Sequence, residues 1–113
     1  MKHFTYETFY EKYEDCYFEF GNYIDTNNLA LTIMSDTEGP IATVTVNVGR
    51  SFEIGVTAIK NYSENEGMLD WLYSMGFVKK VLYNIEQGFV SIPVVELDLN
   101  LVSKFVKEGA LSE

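Results

Sequence analysis

The chain has 113 residues, 17 of them acidic against 8 basic, for a formal net charge of −9 at pH 7. Hydrophobic content of 47%, with 15% aromatic residues, suits one folded domain over residues 1–113 rather than a disordered tail. So large an excess of negative charge is repelled by nucleic acid and anionic membranes and attracted by basic proteins, so no direct contact with nucleic acid or membrane is expected.

No apolar run approaches the roughly 20 residues of a membrane span, and Met1-Lys2-His3-Phe4 leads into acids and tyrosines without an apolar signal-peptide core. The single cysteine, Cys16, excludes an internal disulfide and fits a reducing compartment. The expected location is therefore cytoplasmic.

Taken in chain order, residues 4–15 read as a short amphipathic helix. Phe9, Tyr10, Tyr13 and Tyr17 share a face at helical steps, and Glu7, Glu11 and Glu14 form an acidic ridge. Tyr17 to Ile24 reads as extended, with a turn at Asp25-Thr26-Asn27-Asn28, and Leu29 to Met34 alternates as a strand before a turn at Thr37-Glu38-Gly39-Pro40. Ile41 to Val48 has the clearest alternation: Ala42, Val44, Val46 and Val48 on one face, Ile41, Thr43, Thr45 and Asn47 on the other. After Gly49-Arg50, Phe52 to Ile59 reads as a fourth strand.

A helix is then expected from about Glu64 to Met75. Ser63 and Glu66 have capping-box spacing, Met68, Leu69, Leu72 and Met75 recur at helical steps, and Gly76 stands where the helix would end. Phe77 to Ile85 fits helix or strand. Gln87-Gly88 turns the chain into a strand over Phe89 to Leu97, where Pro93 predicts an edge or a bulge. Asp98 has the chemistry to cap a last helix that buries Leu101, Val102, Phe105 and Val106. The expected fold class is α+β: a mostly antiparallel sheet of about five strands, with a short N-terminal helix, a capped central helix and a C-terminal helix.

Residues for covalent or metal chemistry are scarce. His3 is the only histidine and sits at the terminus, so a nucleophile has no anchored base. Cys16 lies beside Asp15, whose charge raises a thiol pKa, and one His with one Cys builds no zinc site. Asp25-Thr26-Asn27-Asn28 lacks the glycine and distant glutamate of a calcium loop, and no glycine loop followed by Lys-Ser/Thr cradles a phosphate. The expectation is a non-enzyme without cofactor or metal.

What remains is surface. Phe4, Tyr6, Phe9, Tyr10, Tyr13, Tyr17, Phe18 and Phe20 crowd the first 20 residues, interleaved with Glu7, Glu11, Glu14, Asp15 and Glu19. Phe4, Phe9, Phe18 and Phe20 are assigned to the core. Tyr6, Tyr10 and Tyr13 suit either a binding face or a packed helix with its hydroxyls in solvent, since tyrosine supplies large, rigid contact area. Glu64, Glu66 and Asp70 form a second acidic group at the central helix start, where they complement its macrodipole.

Several segments together resemble an uncharacterised family, a domain of unknown function, among small proteins of Gram-positive mobile elements, plasmids and phages. They are Tyr23 to Leu31, Pro40 to Asn47, Ile59-Lys60-Asn61-Tyr62-Ser63-Glu64-Asn65-Glu66-Gly67 and Gly88 to Val94. The resemblance carries no activity, cofactor or catalytic residue. It implies a context in which small acidic proteins inhibit host defences, of the anti-CRISPR or antirestriction type, sometimes by presenting carboxylates in place of DNA phosphates to a basic groove. The expected partner is a host nuclease or DNA-binding protein with a basic surface. The expected contact residues are Tyr6, Glu7, Tyr10, Glu11, Tyr13, Glu14, Asp15 and Glu19, then Glu64, Glu66 and Asp70. The alternative is a homodimeric accessory protein joined through the aromatic face.

Overall fold

Alternation of period two, not the helical spacing, organises the N-terminus. In the computed structural model, which describes residues 1–107, Phe4 and Tyr6 turn inward and are buried while Glu7 faces solvent. The expected helix over residues 4–15 is a β-hairpin: β1 spans Phe4–Glu7 and β2 spans Lys12–Asn22. Thr8 makes the turn, its Oγ1 accepting from the N–H groups of Tyr10 and Glu11 at 3.2 and 3.0 Å. A bulge between Phe4 and Tyr6 in the pairing register, with Asp15 at φ 54°, lets the hairpin keep Cys16 and Phe18 inward. Phe4 and Tyr6 inward on one strand, with Cys16 and Phe18 inward on the next, bury more apolar surface than one helical face could.

β3 (Leu29–Ser35) and β4 (Gly39–Thr43) complete an antiparallel sheet in the order β1-β2-β3-β4. β3 buries Leu29, Leu31, Ile33 and Ser35 in strict alternation, as its sequence predicts. A second sheet, in the order β5-β7-β6, contains β5 (Val56–Ala58), β6 (Val78–Gln87) and β7 (Val90–Leu97). The architecture is mostly antiparallel sheet with few helices, with seven strands in two sheets among the described residues against about five expected.

The segment after β4 joins the two sheets. Val44 N–H donates to the Leu31 carbonyl at 2.9 Å, and Val46 N–H to Ala58 at 3.1 Å on the other sheet. The long strand expected over Ile41 to Val48 is therefore broken at Thr43, and Thr45 is 1% exposed, as buried as Val44 from the opposite face. Its Oγ1 accepts from Leu31 N–H at 3.2 Å and pairs with the Tyr23 hydroxyl at 3.0 Å, which satisfies the buried polar atom.

Pro93 lies not at an edge but in β7, the central strand of its sheet. Its carbonyl accepts from Ile59 N–H at 2.9 Å, on the side where β5 has just ended at Ala58. The missing proline N–H faces that same side, where no ladder partner is needed.

Two short helices close the core. α1 (Met68–Ser74) ends as expected at Gly76, with φ 83°, where the Phe77 N–H reaches back to the Leu72 carbonyl at 3.0 Å. α2 (Leu99–Ser103) is capped by Asp98, whose Oδ1 accepts from Leu101 N–H at 3.0 Å. Beyond it, Lys107 N–H donates to Phe18 and Phe18 N–H to Phe105, so residues 105–107 cover the β2 edge that β1 leaves free. Residues 108–113 of the expected domain lie outside the described residues.

The core centres on aromatic rings. Phe18 and Phe77, both fully buried, meet edge-on at 5.0 Å, and Phe4 lies 4.8 Å from Phe18 and 5.2 Å from Trp71. Phe77 touches Phe4, Phe18, Trp71 and Phe105, so truncating it opens a cavity bordered by four rings. Phe77→Ala is expected to cost about 3–5 kcal/mol of stability, read as a lower urea midpoint with an unchanged slope.

Candidate functional site

The polar sequence between β5 and α1 is wired differently from its spacing. Ser63 stands in the left-handed region, φ 58°, and opens a one-turn 3-10 helix over Ser63–Asn65. No capping box forms: Gly67, φ 92°, is the residue before α1, and neither Ser63 nor Glu66 caps it. The cap comes from Asn61, whose Oδ1 accepts from Leu69 N–H at 2.8 Å. Asn65 is 1% exposed, and its Nδ2 donates to the Thr43 carbonyl at 2.6 Å, fastening the turn to the end of β4.

These substitutes for the capping box leave Glu66 free. It is among the residues that line a groove of about 620 Å³ between the β1–β2 hairpin and α1. Tyr6, Glu7, Thr8 and Phe9 form one wall, and Asn61, Glu66, Gly67, Asp70, Trp71 and Ser74 form the other. The Trp71 indole, edge-on to Tyr6 at 4.9 Å, donates through Nε1 to the Thr5 carbonyl at 3.3 Å, which fixes the ring across the floor. Three acidic residues, Glu7, Glu66 and Asp70, thus line the same groove as Trp71 and Phe9, and none of the lining residues is basic. Among the described residues none of the three carboxylates has an ion-pair partner.

The other predicted contact residues fall elsewhere. Glu11, Glu14, Asp15 and Glu19 are exposed along the hairpin but do not line the groove, and a strand does not align Glu7, Glu11 and Glu14 as a helical ridge would. Tyr6 is 4% exposed, a core residue that shows one edge to the groove, and burial pushes its hydroxyl pKa up. Tyr13, half-buried, stacks on Tyr6 at 6.2 Å. Tyr10 stands in the hairpin turn, 93% exposed. Phe9, assigned to the core, is 87% exposed on the groove rim. Phe4, Tyr6, Tyr17 and Phe18 are buried, so of the aromatic N-terminus mainly Phe9 and Tyr10 stand at the surface.

Glu64 also stands apart. The Lys60 ammonium, 2.6 Å from its Oε2, together with hydrogen bonds from its own backbone and Ser63, holds its carboxyl down at about 2. Cys16 is fully buried, and burial, reinforced by the Asp15 charge, pushes its thiol up, away from reactivity. Among the described residues no group of three or more His, Cys, Asp or Glu side chains is placed to hold a metal ion, and no helix is long and apolar enough to cross a membrane.

Sequence reasoning missed Trp71, Phe9 and Asn61. Trp71, the single tryptophan, directly follows Asp70, so the pairing of acid and large ring was visible; that β1 would face it was not. Comparison of the chain with known protein families, curated proteins and solved structures finds no match.

Two outcomes follow from the wiring. Asn65→Ala leaves the Thr43 carbonyl without its donor and is expected to cost about 1–3 kcal/mol, measured by thermal or urea unfolding. The Glu64 carboxyl resonance is expected to titrate near 2 and to move towards the ordinary 4.5 in Lys60→Met. Because its folded value is depressed, the stabilising share of this pair is complete above the unfolded value and is lost as pH falls through about 2.

Proposed function

We propose that this protein is a non-enzymatic interaction protein whose acidic, aromatic groove receives a basic segment of a partner. The observation that carries the reading is a single groove lined by Glu7, Glu66 and Asp70 together with Trp71 and Tyr6, with no basic residue among its lining. An arginine or lysine side chain entering the groove gains charge-assisted hydrogen bonds from the carboxylates and a ring face or edge to lie against. The net charge of −9 steers such a partner from a distance.

The resemblance to small proteins of Gram-positive mobile elements supplies the biological class: a cytoplasmic inhibitor of a host nucleic-acid-handling enzyme, of the anti-CRISPR or antirestriction type. Capture of one basic segment in a groove is favoured over mimicry of a DNA backbone along the whole surface. Mimicry needs a long array of carboxylates, whereas Glu11, Glu14, Asp15 and Glu19 stand outside the groove.

Trp71 reports on the groove directly, being the only tryptophan. Titration with an arginine- and lysine-rich peptide is expected to change its emission, with affinity falling as salt rises. Combined Glu7→Gln, Glu66→Gln and Asp70→Asn should weaken binding about tenfold or more at low salt. The unaltered protein, used as bait in a Gram-positive host lysate, should retain a nuclease or DNA-binding protein that the triple variant loses. Equal retention by both would remove the groove from the interface.

A further inference from the structure

β1 is an outermost strand of its sheet, and its free edge runs beside the acidic groove. Other edges are covered or guarded. Residues 105–107 lie along β2 where β1 leaves it free, and Val46 N–H reaches the Ala58 carbonyl beside β5. The outer edge of β6 makes no backbone hydrogen bond among the described residues, but β6 carries Lys79 and Lys80, and lysines deter strand pairing.

The hydrogen bonds of the hairpin fix which main-chain groups of β1 face outward. Thr8 N–H donates to the Glu11 carbonyl at 2.8 Å, so Thr8 turns its main chain towards β2. Neighbouring residues of a strand turn theirs in opposite directions. Tyr6 therefore faces β2, while Thr5 and Glu7 face away. The Trp71 indole agrees with this direction, since it reaches the Thr5 carbonyl from α1. The register break beside Tyr6 sets Tyr13 to Cys16 of β2 against Phe4 to Tyr6, so the extra residue is in β2 and the alternation of β1 is unbroken. Glu7 and Lys12 are then a non-hydrogen-bonded pair, and neither the N–H nor the carbonyl of Glu7 has a partner among the described residues.

We propose that the basic segment binds extended, as a short antiparallel strand added to β1 at Glu7, with an arginine or lysine directly across from Glu7. This rests on the reading of the groove as the seat of a basic segment and specifies how the segment lies there. One residue of the segment accepts from Glu7 N–H and donates to the Glu7 carbonyl, the exchange of an antiparallel hydrogen-bonded pair. Residues paired in this way place their side chains on one face, where opposite charges attract. Glu66 and Asp70 on the other wall, with no basic lining residue, make an acidic strand a poor occupant. A second copy of this chain, at net charge −9, is disfavoured for the same reason. The Trp71 indole already holds the Thr5 carbonyl, so the added strand stops short of Thr5 and extends from Glu7 towards the hairpin turn.

The test uses the full chain and an arginine- and lysine-rich peptide that shifts Trp71 emission. Peptides N-methylated at one residue at a time lose one main-chain donor each. Methylation of the residue across from Glu7 should weaken binding about tenfold, and methylation of its two neighbours, whose N–H groups point away, should leave it unchanged. Hydrogen exchange of the Glu7 amide, followed by NMR, should slow about tenfold or more when the peptide saturates the protein. If the peptide binds and depends on the three acids, yet no methylated position differs from the others and Glu7 exchange is unaltered, the added strand is overturned and the groove reading stands. A peptide that does not bind at all removes both.

Discussion

Phe4, from the first strand, is wedged among Phe18, Trp71, Phe77 and Phe105, with ring centroids 4.8 to 5.8 Å away. Each ring comes from a different part of the chain, so this contact ties the N-terminal hairpin to α1 and to the C-terminal segment at once. The desolvation of five rings in one place is the largest local source of stability visible in the molecule. It also sets the position of the groove, because Phe4 and Tyr6 alternate along β1 with Thr5, whose carbonyl holds the Trp71 indole. If β1 were displaced, one wall of the groove and the orientation of its floor would be lost together.

Polar groups do the remaining positioning, and they do it across long sequence separations. Thr45 and Val44 connect one sheet to the other, Asn65 ties the turn before α1 to the end of β4, and Asn61 takes over the helix cap. Among the described residues no buried side-chain nitrogen or oxygen lacks a partner, so this wiring adds specificity without a desolvation penalty. Its functional consequence is indirect. With capping assigned to Asn61, Glu66 is released to the groove, while Glu64 is neutralised by Lys60 and withdrawn from it.

The charge distribution then separates two surfaces of different character. The groove is lined by three acidic residues beside Trp71 and by no basic one, whereas β6 carries two lysines against one glutamate. A chain of net charge −9 repels copies of itself in general.

The sequence by itself determined what depends on near neighbours. Alternation marked Leu29 to Met34 of β3, the Gln87-Gly88 turn marked the strand that follows it, Gly76 marked the end of α1, and Asp98 marked the cap of α2, because a period of two, a turn or one capping oxygen is complete within a few residues. The acidity and the single buried cysteine were equally legible. Tertiary structure decided the rest. Residues 4–20 carry helical and strand periodicities together, and the choice between them rests on Phe77, Trp71 and Phe105, which lie far along the chain. Pro93 sits in a central strand only because β5 stops beside it. Glu7 lines one groove with Glu66 and Asp70 only because the hairpin packs on α1. Each of these outcomes is a comparison between burial of distant apolar surface and a local preference, and burial, worth several times more per residue, wins.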